Sequence, residues 1–418
     1  MSAPADLLLT DIAELVPLAG PPAPWRGPRR TLECISDAAV AVRDGRIVAV
    51  GPRADVEASV RAARTVSAGG GVVLPGFVDP HTHLPWVGSR EAEFLLRLEG
   101  KSYADIARAG GGIRATTRAV RAATTAQLVA AARPRLDRML AHGTTTAEAK
   151  SGYGLELEAE RRQLEAIRVL DEQHPVDLVA TNLAAHEIPD EWRQDRAGWV
   201  ETLVETILPQ LAGLAEFCDV FCEEHVFGVE ESRRILTRAR ELGYRLKLHA
   251  DELVATGGAE LAAELGAVSA DHLAKTGPAG IAALAEAGVV AVLLPGTSFY
   301  LRHREHAPAR AMLEAGVPVA LATDLNPGSC LTESMPMILT LACLQLELTP
   351  AEAIVAATIN AAHAIGRGHD RGSLEVGKLA DLVVWDVPTW SYLPTHFGVS
   401  LVRTVFKRGE VVYPRGLP

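Results

Sequence analysis

Between about residues 70 and 371 the chain alternates eight apolar, β-branched runs with amphipathic helical stretches, and this alternation leaves few architectures open. The runs are 72–81, 143–150, 176–186, 218–224, 245–250, 267–272, 289–294 and 317–324. In the helical stretch 156–172, Leu164, Ile167 and Leu170 recur at the helical period and share one face. Strands separated by helices cannot be joined as hairpins, so they pair in parallel. Eight such units predict a (β/α)8 TIM-type barrel. The two ends of the chain read differently. Residues 39–43 and 46–50 flank Asp44-Gly45, a strong hairpin signal because both residues tolerate positive φ. Residues 377–386, 401–406 and 411–413 give further strands, the last two around Arg408-Gly409. The expectation is an α/β chain with the barrel at 70–371 and a small β-sandwich domain built from both termini, 1–69 and 372–418.

Composition narrows the function. The net charge is −11 with both signs interspersed, which argues against a nucleic-acid partner, since that needs a basic face. An anionic substrate is still open, because one local Arg reverses the local field. Five cysteines without a CxxC pair read as a reduced, cytoplasmic protein. Residues 1–9 lack the basic and apolar regions of a signal peptide, and the apolar stretch 281–294 is too short and interrupted to span a bilayer, so no membrane partner is expected.

A barrel of this kind places its chemistry at the C-terminal ends of the strands. His81 and His83 end the first run, His186 the third, His249 the fifth, His272 the sixth and Asp324 the eighth. Two histidines one residue apart on an extended segment face the same side. Such a pair also occurs by accident on surfaces, but here it follows an apolar strand and is joined by His249 and Asp324. Neutral imidazoles with one carboxylate suit zinc or iron, and four such ligands leave a position for water. Other features have plainer readings. Gly110-Gly111-Gly112 reads as a lid hinge, since no P-loop Lys-Ser/Thr follows it. Lys150 reads as a structural ion pair, and Cys222 and Cys330 lack a histidine partner in sequence for nucleophilic work. There is no Gly-x-Ser-x-Gly elbow.

Residues 74–83, the opening segment 42–51 and the closing segment 374–384 together resemble the amidohydrolase superfamily. Within it the chain resembles the imidazolonepropionase family, through ARAGGGI at 107–113, KSGYGL at 150–155, LKLHADEL at 246–253, LPGTSFYL at 294–301 and ALATDLNPGS at 320–329. The resemblance implies hydrolysis of the ring of 4-imidazolone-5-propanoate to N-formimidoyl-L-glutamate in histidine degradation, with one divalent or trivalent metal ion, zinc or else iron. It implies His81, His83, His249 and Asp324 as metal ligands. It implies Arg90, Tyr103 and Tyr153 as groups that hold the propionate, and His186, Asn326, Gly328 and Ser329 as substrate contacts. Glu252 and His272 then stand around the scissile bond. A homodimer follows by analogy. Glu252 departs from family members that carry Gln at this position.

The chemistry of these residues agrees. A metal lowers the pKa of a bound water from 15.7 to about 7. Asp324 can accept a proton, His272 can hydrogen-bond the carbonyl oxygen, and Glu252 can relay a proton to the leaving nitrogen. A guanidinium forks onto a carboxylate, which suits Arg90 to an anionic substrate. Taken alone, however, Arg90 beside Glu91 and Glu93 reads as a surface ion pair, and Tyr153 between two glycines as a loop tyrosine. Two alternatives stand beside the ring-opening hydrolase: a sister amidohydrolase that deaminates a nitrogen heterocycle or formimino compound, and a metal-free barrel kept for binding. The spacing His249-x-x-Glu252 is shared with the deaminases and does not separate them.

Overall fold

The computed structural model describes residues 4–101 and 111–414. Its strands fall into two eight-stranded sheets. The first, mixed sheet holds β1 (Ala5–Leu15), β2 (Ile35–Arg43), β3 (Arg46–Pro52), β4 (Ala62–Ser67) and β5 (Val72–Pro75). The second is the barrel: β6 (Phe77–Asp79), β7 (Thr144–Lys150), β8 (Asp177–Ala185), β9 (Phe217–Cys222), β10 (Arg245–Ala250), β11 (Ser269–His272), β12 (Val290–Leu293) and β13 (Val319–Leu321). The chain then returns to the first sheet with β14 (Leu382–Trp385), β15 (Val402–Lys407) and β16 (Glu410–Tyr413).

Both termini share the mixed sheet because β14 pairs antiparallel with β5, and β5 pairs parallel with the end of β1. Leu7, Val40, Leu382 and Phe406 from its two halves bury one apolar core. The hairpin tips meet as well, since a Cβ on Gly45 would lie 3.0 Å from the Arg408 Cβ. A sheet folded over one core in this way is the small domain expected from the two ends.

The barrel strands run parallel in sequence order, each paired with the next. The first and last come together through the Thr82–Leu325 bridge and the bond from the Asp324 amide to the His81 carbonyl, at 3.1 Å. The run expected as one first strand at 72–81 is two strands. Gly76 divides them: its amide donates to Asp381 of the terminal sheet, whereas the Phe77 amide donates to Gly143 of the barrel. A Cβ at Gly76 would lie 2.3 Å from Thr145 Oγ1, so only glycine fits this crossing. The chain therefore enters the barrel at Gly76 rather than at residue 70.

Candidate active site

His81 and His83 follow β6, His186 follows β8, His249 lies in β10, His272 ends β11, and Asp324 lies just beyond β13. Parallel strands of a closed barrel bring these ends into one mouth. One ring nitrogen from each of His81, His83 and His249 falls within 4.8 Å of the others, and His81, His272 and Asp324 make a second such group. The Nε2 atoms of His81 and His83 each stand 3.5 Å from Asp324 Oδ1. All of these side chains but that of His186, which is partly exposed, are buried.

The donor set fits a metal ion. His81 Nε2 and His249 Nε2 are buried without a hydrogen-bond partner among the described residues, and one ring nitrogen of His83 belongs to the same close group. Buried polar nitrogens are normally satisfied, so lone pairs gathered this closely match a cation. His81 Nδ1 lies 2.6 Å from Asp271 Oδ2, and His249 Nδ1 lies 3.0 Å from Asp219 Oδ2. Such outer carboxylates fix the ring orientation and raise ligand basicity. Burial holds His81 and His83 well below the ordinary histidine range, which keeps them neutral, as a ligand must be. For His249 burial acts the same way, but Asp219 outweighs it and keeps the ring basic.

His272 Nε2 stands 3.5 Å from Glu252 Oε2. Burial lowers His272 to about 3 and leaves the ring neutral. Burial, and then the charge of Asp324, raises Glu252 to about 8. A protonated carboxylic acid beside a neutral imidazole is equipped to donate a proton at neutral pH. His272 at φ 73° and Asp324 at φ 53° are both left-handed, a conformation that costs on the order of 1–2 kcal/mol per non-glycine residue. Strain of this kind is found where a site over-determines its backbone.

One side of the mouth is aromatic and basic. His186 stacks on His83 with ring centroids 5.0 Å apart, and the buried Tyr153 ring lies 5.7 Å from His83. The Arg90 side chain is only 9% exposed. It forks sideways onto Glu93, Nε to Oε1 at 3.0 Å and Nη2 to Oε2 at 2.7 Å. Its Nη1 faces Gly328, where a Cβ would lie 2.2 Å away. The surface ion pair that Arg90 suggests in isolation is thus a buried one, with the end of the guanidinium left toward the turn after Asp324. Asn326 is committed to that turn. Its Oδ1 accepts from the Gly328 and Ser329 amides at 2.8 and 2.7 Å, and its Nδ2 donates to the Asp324 carbonyl at 2.7 Å. Tyr103 lies outside the described residues.

Lys150 is a structural ion pair, as its position suggests, but a central one. Its Nζ lies 2.7 Å from both Glu148 and Asp219 and 3.8 Å from Asp271. Burial opposes the ammonium charge, yet Asp219, Glu148 and Asp271 hold its pKa above the ordinary range. Lys247 approaches Asp271 and Glu148 at 3.6 and 3.8 Å. Burial pushes the Cys222 and Cys330 thiols up, away from nucleophilic work. Sequence reasoning missed Glu148, Asp219, Lys247 and Asp271, and gave Glu93 only as a surface partner of Arg90. A signal for the first four exists: charged residues at alternate positions of otherwise apolar strands, as in Arg245–Ala250, must point into the barrel.

A profile of the amidohydrolase family matches residues 72–412, and one described as an imidazolonepropionase-like composite domain of bacteria matches 38–59. An imidazolonepropionase of Shouchella clausii is 57% identical over 85% of this chain and 79% of its own length. That of Symbiobacterium thermophilum is 53% identical over 99% of this chain and 98% of its own. Among solved structures, a zinc-bound adenosine deaminase from Xanthomonas campestris has a TM-score of 0.71 at 24% identity, covering 98% of this chain and 93% of its own. A triazine hydrolase variant has a TM-score of 0.74 at 19% identity, covering 97% and 94%. At such low identity these structures speak for the fold alone.

Proposed function

The chain belongs to the imidazolonepropionase family of amidohydrolases, and from that membership we propose that it hydrolyses the ring of 4-imidazolone-5-propanoate to N-formimidoyl-L-glutamate. One observation carries the reading: the buried cluster of His81, His83, His249 and Asp324 shares its mouth with a guanidinium, Arg90, set against Gly328. Those four residues would hold the metal. When bound, it would supply an activated water and polarise the ring carbonyl.

The chain's own groups account for the rest. Asp324 takes the proton of the attacking water, its Oδ2 anchored by the Thr297 hydroxyl. Glu252 gives its proton to the ring nitrogen as the carbon–nitrogen bond breaks, and His272 hydrogen-bonds the carbonyl oxygen. His186 donates its Nδ1 proton to the Gly152 carbonyl at 2.9 Å, which leaves Nε2 as an acceptor for a ring N–H. Arg90 uses its Nε and one Nη2 proton for Glu93 and keeps its end-on pair for the propionate carboxylate. Tyr153, Tyr103 and the Asn326–Ser329 turn complete the carboxylate side in this reading. The family resemblance further supports zinc as the ion with iron as the alternative, a place in histidine degradation, a cytoplasmic location and a homodimer.

The test is an ultraviolet assay with freshly generated imidazolone propionate, with and without a chelator. Chelator-sensitive loss of the substrate with formimino-glutamate appearing is expected. No turnover by metal-loaded protein would overturn the reading in favour of a sister aminohydrolase, to be sought by ammonia release from nitrogen heterocycles.

A further inference from the structure

The loop Gly152–Tyr153–Gly154–Leu155 follows β7 and gives all four of its backbone N–H groups to two side chains of the next helix, Leu157–Gln173. Glu160 accepts from the Gly152 and Leu155 amides, each at 2.8 Å. Gln163 accepts from the Tyr153 amide at 3.2 Å and the Gly154 amide at 2.9 Å. The amide end of Gln163 donates to the Pro85 carbonyl at 2.9 Å, two residues beyond His83. Both side chains are fully buried, and three residues apart they lie on one helix face. The loop has no freedom to relax elsewhere. Gly152 sits at φ 104°, and a Cβ there would lie 2.6 Å from the Leu183 carbonyl oxygen.

What this loop carries is the aromatic wall of the mouth: the Tyr153 ring beside His83, and the Gly152 carbonyl that takes the His186 Nδ1 proton. Glu160 is thus a fully buried carboxylate given over to this loop, and burial of the charge raises its pKa. We infer that Glu160 and Gln163 are positioning residues for substrate recognition: they lock the Gly152–Leu155 backbone so that the Tyr153 hydroxyl and the acceptor nitrogen of His186 are preorganised. Geometry fixed before binding lowers the ordering cost of the bound state, so the effect should fall on affinity. The inference rests on the substrate roles proposed for Tyr153 and His186.

The experiment compares Gln163→Leu, Gln163→Glu, Glu160→Gln and Tyr153→Phe, with Gln163→Leu also placed in the Tyr153→Phe protein. The readouts are KM and kcat for imidazolone propionate and the inhibition constant of imidazole propionate. Gln163→Leu and Glu160→Gln are expected to raise KM and the inhibition constant about tenfold, with kcat changed less than about threefold. Gln163→Glu keeps the acceptor oxygen for the Tyr153 and Gly154 amides but loses the donor to the Pro85 carbonyl, so it should recover only part of the affinity lost in Gln163→Leu. In the Tyr153→Phe protein Gln163→Leu should raise KM less than in the parent, because only the part of its effect that acts through His186 is left. Effects that multiply, or that fall equally on kcat, would overturn the positioning role and leave a purely structural one. Should Gln163→Leu fail to fold, Glu160→Gln decides alone. An unchanged KM in Tyr153→Phe itself would instead remove the substrate role of Tyr153, a failure of the underlying reading and distinct from the first.

Discussion

His81 and Asp271 stand 190 residues apart in the chain, yet the His81 Nδ1 lies 2.6 Å from the Asp271 Oδ2. That contact commits the Nδ1 proton of His81 and turns its Nε2 lone pair toward Asp324. Asp271→Asn is therefore expected to weaken metal binding by roughly 10- to 100-fold, the range seen for outer partners of ligand histidines. Competition against a chromogenic chelator measures it directly. Affinity equal to that of the parent protein would show that the ring is oriented by packing alone.

In the proposed mechanism Asp324, a left-handed residue, combines two roles, metal ligand and proton acceptor. Asp324→Ala is expected to abolish turnover while circular dichroism and the thermal midpoint stay close to the parent's. Substantial activity in a metal-replete Asp324→Ala protein would contradict the proton path described above.

Arg90 is held by Glu93, and Glu93 also accepts from the Gly112 amide at 2.7 Å. The fork is a property of guanidinium that an ammonium does not reproduce. Arg90→Ala should raise KM for imidazolone propionate on the order of 100-fold, and Arg90→Lys on the order of tenfold. Glu93→Gln should raise KM as well, with kcat nearly unchanged. Equal effects of Ala and Lys at position 90 would reduce Arg90 to a structural part.

The far end of the barrel carries a separate device. Asp177 opens β8 and meets Arg371 at 2.6 Å, Lys407 at 2.8 Å and Arg408 at 2.9 Å, so it ties the barrel to the β15–β16 hairpin. Burial alone would raise its pKa, but Lys407, Arg371 and Arg408 outweigh burial and depress it. A depressed carboxylate adds stability that is complete above its unfolded pKa of about 3.9 and is lost as pH falls through the lower folded value. Asp177→Asn should thus cost roughly 3 kcal/mol at pH 7, and the gap to the parent should narrow below about pH 4. Thermal melts across this range give the answer; a gap independent of pH would exclude the ionised carboxylate as its source.

Much of this protein is legible in its sequence for physical reasons that act locally. The alternation of apolar runs with helical periods needs no partner to be read. The period of two in a strand settles that His81 and His83 share a face, and the Asp44-Gly45 turn marks its own hairpin. A glycine flanked by two apolar runs is less explicit. The run at 72–81 looks like one strand, and only the packing of Thr145 against Gly76 shows that two sheets divide it.

What the sequence by itself determined is the barrel class, the inward-facing histidines and the residue types able to hold a metal. The tertiary structure alone decided which inward residue meets which. Asp271 serves His81, Asp219 serves His249, and Lys150 stands between the two carboxylates, because the tilt and stagger of a closed barrel set those neighbours. Arg90 shows the same division: local sequence makes it an ion pair with Glu93, while only the fold buries that pair and sets its free end against Gly328. Periodicity fixes the face of a strand, but contact across a barrel depends on closure, and closure is a property of all eight strands together.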